Sequence, residues 1–258
     1  MTDAGHRNES TVHARTREDP STVARTDAAF ARARARVYHL LAATLDGETA
    51  VLERAMAAGD FARFEDVLPG EFDAEALQRE DVGTEALAVG YDNLFVVPGP
   101  HYVPPFASAH DDEPSENFES DSTYHEEGEA GELFGDPVVS VSEHYARFDF
   151  SPERGDGIPD HVAAEFEFVA ALAGREADLL ADDDADPETV TRLRRAQADF
   201  LTDGLDWLDG FAAAVEREDD AEGVFAALAK FAAAVVDWDA RTVADSIDDP
   251  CDSGATSV

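Results

Sequence analysis

His161 and Glu165 are two polar residues with catalytic or metal-binding potential, four positions apart in an otherwise apolar stretch. At about 100° per residue both fall in the helical arc that holds Val162 and Val169, so both are predicted to point towards the core. A buried imidazole and a buried carboxylate have to satisfy each other or a nearby donor. The pair therefore allows three interpretations: a structural hydrogen bond, an acid/base pair of an enzyme, or two metal ligands on adjacent turns.

Asp160 comes directly before this pair and directly after Pro159, which is a favourable place for a helix N-cap. A fourth interpretation therefore puts Asp160 and His161 at the helix start, on the rim of a ligand groove. No further metal ligands stand at a recognisable spacing, and the sequence contains no phosphate loop, dinucleotide fingerprint, zinc-protease motif or nucleophile elbow. We expect neither enzymatic activity nor a bound cofactor or metal.

A second segment of interest is the proline-rich stretch from Pro98 to Ser108, which also carries Tyr102 and Phe106. Its Pro104-Pro105 pair stops helix formation, so the stretch is predicted to be a stiff loop. Such a loop could be a plain connector. It could equally line a peptide groove, because an ordered loop loses little entropy on binding.

The elements that position these residues are predicted to be helices, because apolar residues recur at three- and four-residue steps. The patterned segments are 27–45, 49–58, 61–68, 73–95, 138–148, 160–180, 188–201, 207–215 and 221–245. No segment alternates with period two, and strands do not alternate with helices as they do in nucleotide-binding folds. The fold class is therefore predicted to be all-α, a single-domain bundle of about nine or ten helices.

Polar and acidic stretches set the limits of this domain. Residues 1–24 and 247–258 are predicted to be disordered ends, residues 25–246 the helical domain, and residues from about 110 to 136 an exposed acidic insertion within it. Neither a secretory signal nor a membrane-spanning stretch is evident, and the sole cysteine, Cys251, excludes an internal disulfide. We expect a cytoplasmic protein without stable membrane insertion.

The charge is extreme, with 58 Asp and Glu against 19 Lys and Arg, a formal net charge of −39. It argues against nucleic-acid binding, which depends on clustered cations. Lys230 is the only lysine. A lysine-poor, carboxylate-rich surface is typical of a halophilic protein, because a Debye length of roughly 3 Å at 1 M salt screens self-repulsion. Alternatively, the acidic surface recognises a cationic partner through close contacts.

Two motifs resemble signatures of a known family. Tyr91-Asp-Asn-Leu-Phe-Val-Val-Pro98 followed by Pro104-Pro-Phe-Ala-Ser108, and Ile158-Pro-Asp-His-Val-Ala-Ala-Glu165-Phe-Glu-Phe, are similar to the two signatures of the TorD/DmsD redox-enzyme maturation chaperones, which are related to NarJ. The order and separation of the motifs also agree. The chain resembles an acidic, haloarchaeal-type member of that family, although Gly204 stands where a later family segment usually has histidine.

This resemblance implies a TorD-like helical bundle that acts as a cytoplasmic chaperone. It would bind the twin-arginine signal peptide and the apo form of a molybdopterin oxidoreductase, and assist cofactor insertion before export. The residues implied to bind the peptide are Asp160, His161, Glu165, Pro98, Tyr102, Pro104, Phe106 and Ser108. This assignment requires the loop near residue 100 and the helix start near residue 160 to meet in one groove.

Overall fold

Helices form throughout the part of the chain that the computed structural model describes, residues 20–65, 75–110, 136–219 and 223–248. These ranges contain α1 (Pro20–Leu45), α2 (Thr49–Ala57), α3 (Ala62–Glu65), α4 (Thr84–Tyr91), α5 (Asp136–Arg147), α6 (Val162–Ala181), α7 (Pro187–Asp199), α8 (Leu208–Glu218) and α9 (Val224–Asp248). Because α3 is a single turn of four residues, eight longer helices remain, slightly fewer than expected. The all-α prediction is confirmed.

Helix boundaries differ from the sequence pattern where the backbone is broken locally. The segment predicted as one helix over 73–95 contains a short 3-10 turn at Ala76–Gln78 and then α4. Gly83 has extended backbone angles (φ −88°, ψ 169°) and precedes the first residue of α4, so the helix starts only after it. At its other end α4 passes into a π-helical turn, Asp92–Val96, in which Leu94 and Phe95 are buried.

The central packing unit is the pair α1 and α6. Tyr38 of α1 packs against Phe166 of α6, with ring centroids 5.9 Å apart. The buried face of α6 is rich in alanine, including Ala170, Ala173 and Ala177. Small side chains allow two helix axes to approach closely, so α6 is held in the interior and its N-terminal end has a defined position.

Aromatic side chains join the remaining helices to this pair in one hydrophobic core. Phe168 of α6 packs on Phe200 at 4.9 Å, and Phe61 packs on Phe231 of α9 at 5.2 Å. Both pairs are edge-to-face, an arrangement that aromatic rings prefer. Burial of such rings is a large favourable contribution to folding.

A buried polar network links α1, α6, α7 and α9. The Arg34 guanidinium ion-pairs with Asp239 and donates to Glu176 at 2.8 Å and to Gln197 at 2.9 Å. Arg194 donates to the other oxygen of Glu176 at 2.6 Å. Two arginines thus neutralise two carboxylates, which lets these charged groups lie in the core.

Several sequence predictions concern residues outside the described ranges. The residues outside the described ranges are 1–19, 66–74, 111–135, 220–222 and 249–258. They include most of the predicted disordered ends and most of the acidic insertion. Helix α1 begins at Pro20, before the predicted start of the domain at residue 25. None of the helices in the described part of the chain is both long and apolar enough to cross a bilayer.

Candidate functional site

The loop at 104–108 and the start of α6 lie side by side, although they are far apart in the chain. Phe106 and His161 form an isolated antiparallel bridge. Two backbone hydrogen bonds frame the bridge, from Ala107 N to Asp160 O at 3.0 Å and from Val162 N to Pro105 O at 2.9 Å. The proline-stiffened loop is therefore anchored to the helix start, and the two motifs form one structural unit.

Asp160 stabilises this contact between the loop at 104–108 and the start of α6, which we call the junction. Its Oδ2 accepts a hydrogen bond from the backbone N–H of Ser108 at 2.9 Å, and the residue is completely buried. The expectation that Asp160 caps α6 is therefore wrong. The loop supplies the N–H that donates to the Asp160 carboxylate. The N-cap of α6 is His161, one residue after Asp160.

His161 is the residue that caps α6. Its backbone is extended (φ −71°, ψ 135°) and its Nδ1 accepts a hydrogen bond from Ala163 N at 3.1 Å. The imidazole packs against Gly155, where a Cβ would come within 2.7 Å of His161 Cβ. Because Gly155 also has a positive φ of 77°, this close contact requires glycine.

The N-cap hydrogen bond requires a particular protonation state of the His161 ring. An Nδ1 that accepts a hydrogen bond must be deprotonated, and burial lowers the pKa of His161, outweighing the nearby aspartates that raise it. Since the folded-state pKa is depressed, this contribution to stability is fully present above the unfolded pKa of about 6.5 and is lost as pH falls.

We expect His161→Leu to lower the free energy of unfolding by about 1 kcal/mol more than His161→Asn, because only asparagine supplies a capping oxygen. Between pH 7.5 and 5 the wild type should lose more stability than His161→Asn, whose cap does not titrate. Urea unfolding at several pH values measures both effects. Equal stability of the two variants would mean that the cap is unimportant.

Glu165 is buried one turn further along α6, with none of its surface exposed. Its Oε2 accepts a hydrogen bond from the indole Nε1 of Trp207 at 3.1 Å. The structural His161–Glu165 hydrogen bond, one of the interpretations of this pair, is thus not formed: each side chain has another partner. Burial, followed by the charge of Asp160, raises the pKa of Glu165 well above its usual value.

Trp207 connects Glu165 to an open pocket of about 430 Å³. The pocket lies between α5 and the turn that joins α7 to α8. Its lining includes the three carboxylates of Asp136, Asp203 and Asp206 together with the rings of His110 and Trp207. Carboxylates beside an aromatic face suit a guanidinium group, which can form charge-assisted hydrogen bonds and stack at the same time.

The aromatic wall of the pocket is built by a ring stack. His110 lies over Trp207 with ring centroids 5.4 Å apart and planes 21° from parallel. Its Nε2 is 2.8 Å from the carbonyl oxygen of Pro104. The loop of the first motif therefore fixes His110, and His110 in turn covers the indole that contacts Glu165.

The predicted peptide-binding residues lie beneath and beside this pocket rather than in its lining. Asp160, His161, Glu165 and Ser108 are buried under the junction, and Tyr102, Pro104 and Phe106 are partly exposed along the loop. Pro98 is exposed at the start of the loop.

The lining residues come from segments that the sequence analysis treated as boundaries or core. Asp203, Asp206 and Trp207 follow one another closely in the chain, and Gly204 between them also lines the pocket. A tryptophan between acidic residues and a glycine, at the end of a helical pattern, was the available signal. Helical periodicity predicts that such a tryptophan is buried in the core, so the pattern did not indicate that Trp207 also lines a pocket.

The described residues contain no group of three or more His, Cys, Asp or Glu side chains arranged to hold a metal ion.

Comparison with known proteins gives one match. A family model described as "Nitrate reductase delta subunit" matches residues 56–213, which is more than half of the chain and includes both motifs. A search of the curated proteins and a search of the solved structures each found no match.

Proposed function

The chain belongs to the nitrate reductase delta subunit family of redox-enzyme maturation chaperones, and we propose that its client is a molybdopterin oxidoreductase. In this proposal the chain binds the twin-arginine leader peptide of the apo-enzyme in the cytoplasm and assists cofactor insertion before export. The observation that carries the proposal is the pocket with three carboxylates around Trp207, beside the junction of the two motifs.

The chemistry of the pocket matches that of the leader. A twin-arginine leader presents two planar guanidinium groups next to an apolar stretch, so its receptor needs carboxylates beside apolar surface. Asp136, Asp203 and Asp206 offer the carboxylates, and Trp207 and Val141 offer the apolar surface. The anchored loop is ordered before binding, which reduces the entropy lost when a peptide docks.

The surrounding salt determines which contacts contribute most. The acidic, lysine-poor composition supports a halophilic protein, in which long-range attraction is screened within about 3 Å at 1 M salt. Close, partly desolvated contacts are screened much less. Recognition therefore depends on direct pairing inside the pocket and on burial of apolar surface, which salting-out conditions strengthen.

We expect a twin-arginine leader peptide to bind in roughly 2 M KCl, and the double variant Asp203→Asn/Asp206→Asn to bind at least about tenfold more weakly. The reason is the loss of two charged acceptors, each of which contributes up to about 1 kcal/mol when it pairs at an exposed position. Isothermal titration calorimetry measures the affinity.

The matched control is Asp178→Asn/Asp245→Asn, which removes the same charge from exposed positions on α6 and α9 that do not line the pocket. It should leave affinity unchanged. A leader with lysines in place of both arginines should bind more weakly, because an ammonium group cannot form the paired contact. Equal loss in both double variants would place the peptide elsewhere.

A further inference from the structure

Three buried polar atoms at the junction have no hydrogen-bonding partner within the described part of the chain. They are Ser108 Oγ, Asp160 Oδ1 and Glu165 Oε1. Asp160 and Glu165 are both fully buried, and the charge of Asp160 raises the pKa of Glu165. Two ionised carboxylates in such surroundings are very unfavourable unless a cation or a proton accompanies them.

No cation from the described residues accompanies this pair. On α1 the buried Arg34 is engaged with Asp239 and Glu176, and on α7 Arg194 is also engaged with Glu176. Neither Asp160 nor Glu165 forms an ion pair with any arginine or lysine in the described ranges.

The other titratable groups around Glu165 are acidic or weakly basic. Tyr145 of α5 faces both carboxylates, and its hydroxyl donates to Pro159 O at 2.8 Å. Asp206, from the turn before α8, adds negative charge. His161 is occupied as the cap of α6, and His110 is separated from Glu165 by the Trp207 ring. Within the described part of the chain no cationic side chain neutralises Glu165, and a proton on its carboxylate would take that role.

The pocket is coupled to this pair through shared groups. Asp206 lines the pocket and also acts on Glu165, while Trp207 forms the wall between them and donates to Glu165 Oε2. Burial contributes most to the raised pKa of Glu165, followed by the charge of Asp160, and the charge of Asp206 adds to both. A cation bound at Asp206 and Trp207 would oppose these negative charges and so favour the ionised form of Glu165. Charge in the pocket and protonation of the buried acid are thus thermodynamically linked.

We propose that Glu165 holds a proton in the unliganded protein, and that a guanidinium group entering the pocket drives this proton out to solvent. This inference rests on the proposed function for the identity of the cation. Binding then adds one cation and releases one proton, so the net charge of the pocket and the junction together is the same in both states.

The exchange sets the sign of the pH dependence. When one proton is released on binding, raising the pH favours the complex. Affinity should rise by up to tenfold per pH unit between the pKa of Glu165 in the complex and its higher pKa in the free protein. It should become independent of pH outside that interval.

Calorimetry with the twin-arginine leader, in two buffers of different ionisation enthalpy, counts the protons released. We expect close to one proton for the wild type and close to none for Glu165→Gln, which mimics the protonated acid. Asp203→Asn, which alters the exposed part of the pocket, should weaken binding but still release the proton. Binding of the leader to the wild type without proton release would overturn the inference.

Infrared spectroscopy decides the inference even if the leader does not bind. Above pH 7 exposed carboxyl groups are ionised, so a carboxylic acid C=O band should come from a buried acid and should disappear in Glu165→Gln. Titration of the wild type with L-argininamide should remove the same band. Absence of the band in the wild type, or its persistence in saturating L-argininamide, would overturn the inference. Failure of the leader alone would refute only the proposed function.

Discussion

Replacement of Arg34 by methionine is expected to lower the free energy of unfolding by about 3–5 kcal/mol. Methionine keeps much of the length and apolar volume of the arginine stem but removes the guanidinium. Asp239 and Glu176 would then lose their shared partner while remaining buried, and a buried carboxylate without a partner is strongly destabilising. This loss would be a large fraction of the stability of a typical domain.

The geometry of the network explains why no neighbour can take over. Asp239 contacts Arg34 through both oxygens, and within the described ranges its other donor is the Tyr38 hydroxyl, at 3.0 Å. Glu176 retains Arg194 and Gln197. We therefore expect Asp239 to account for most of the effect, and the further change Asp239→Asn to recover part of the lost stability.

Urea unfolding at constant high salt measures the change. Arg36→Met is the matched control, because Arg36 lies on the same helix but is exposed, and surface changes usually stay within about 0.5 kcal/mol. A loss below about 1 kcal/mol for Arg34→Met would show that the network contributes little.

Replacement of Ser140 by tryptophan is expected to reduce affinity for the leader peptide by about 100-fold or more, equivalent to roughly 2.7 kcal/mol. Ser140 is exposed on α5 and lines the pocket. An indole at this position would occupy space between Asp136 and Trp207 that a guanidinium group needs. The effect is large because binding energy concentrates in a few central contacts.

The control for this variant is Val139→Trp, one residue away on the same helix. Val139 is 52% exposed and does not line the pocket. Both variants add an exposed indole, so both should unfold at similar urea concentrations. Unchanged affinity in Ser140→Trp, measured by calorimetry under the same salt conditions, would exclude this pocket as the leader site.

Much of the fold was predictable because helical periodicity is a local property. Val162, Val169 and Leu172 recur at helical steps, and the pattern correctly predicted both the helix and the burial of His161 and Glu165 on the same face. The break at Gly83 was harder to foresee, since glycine inside a helical pattern is tolerated in many helices. The two motifs also indicated correctly that the loop at 104–108 meets the start of α6.

The partners of the buried polar residues were not predictable in the same way. A hydrogen bond between Glu165 and His161, four residues away, was one interpretation of the sequence, but the partner of Glu165 is Trp207, which lies 42 residues further along the chain. Asp160 was expected to cap its own helix, yet it binds Ser108 in the anchored loop. In both cases a distant donor displaced the local one, because packing brought that donor into a site from which water is excluded.

By itself, the sequence determined the helical class of this protein, its acidic surface and the two motifs that place it among maturation chaperones. Only the tertiary structure decided that Arg34 neutralises carboxylates on two other helices, and that Asp136, Asp203 and Asp206 line one pocket together with Trp207. The physical reason is that periodicity specifies which face of a helix is buried. The packing of helices against one another specifies which buried side chains and which pocket-lining side chains come into contact.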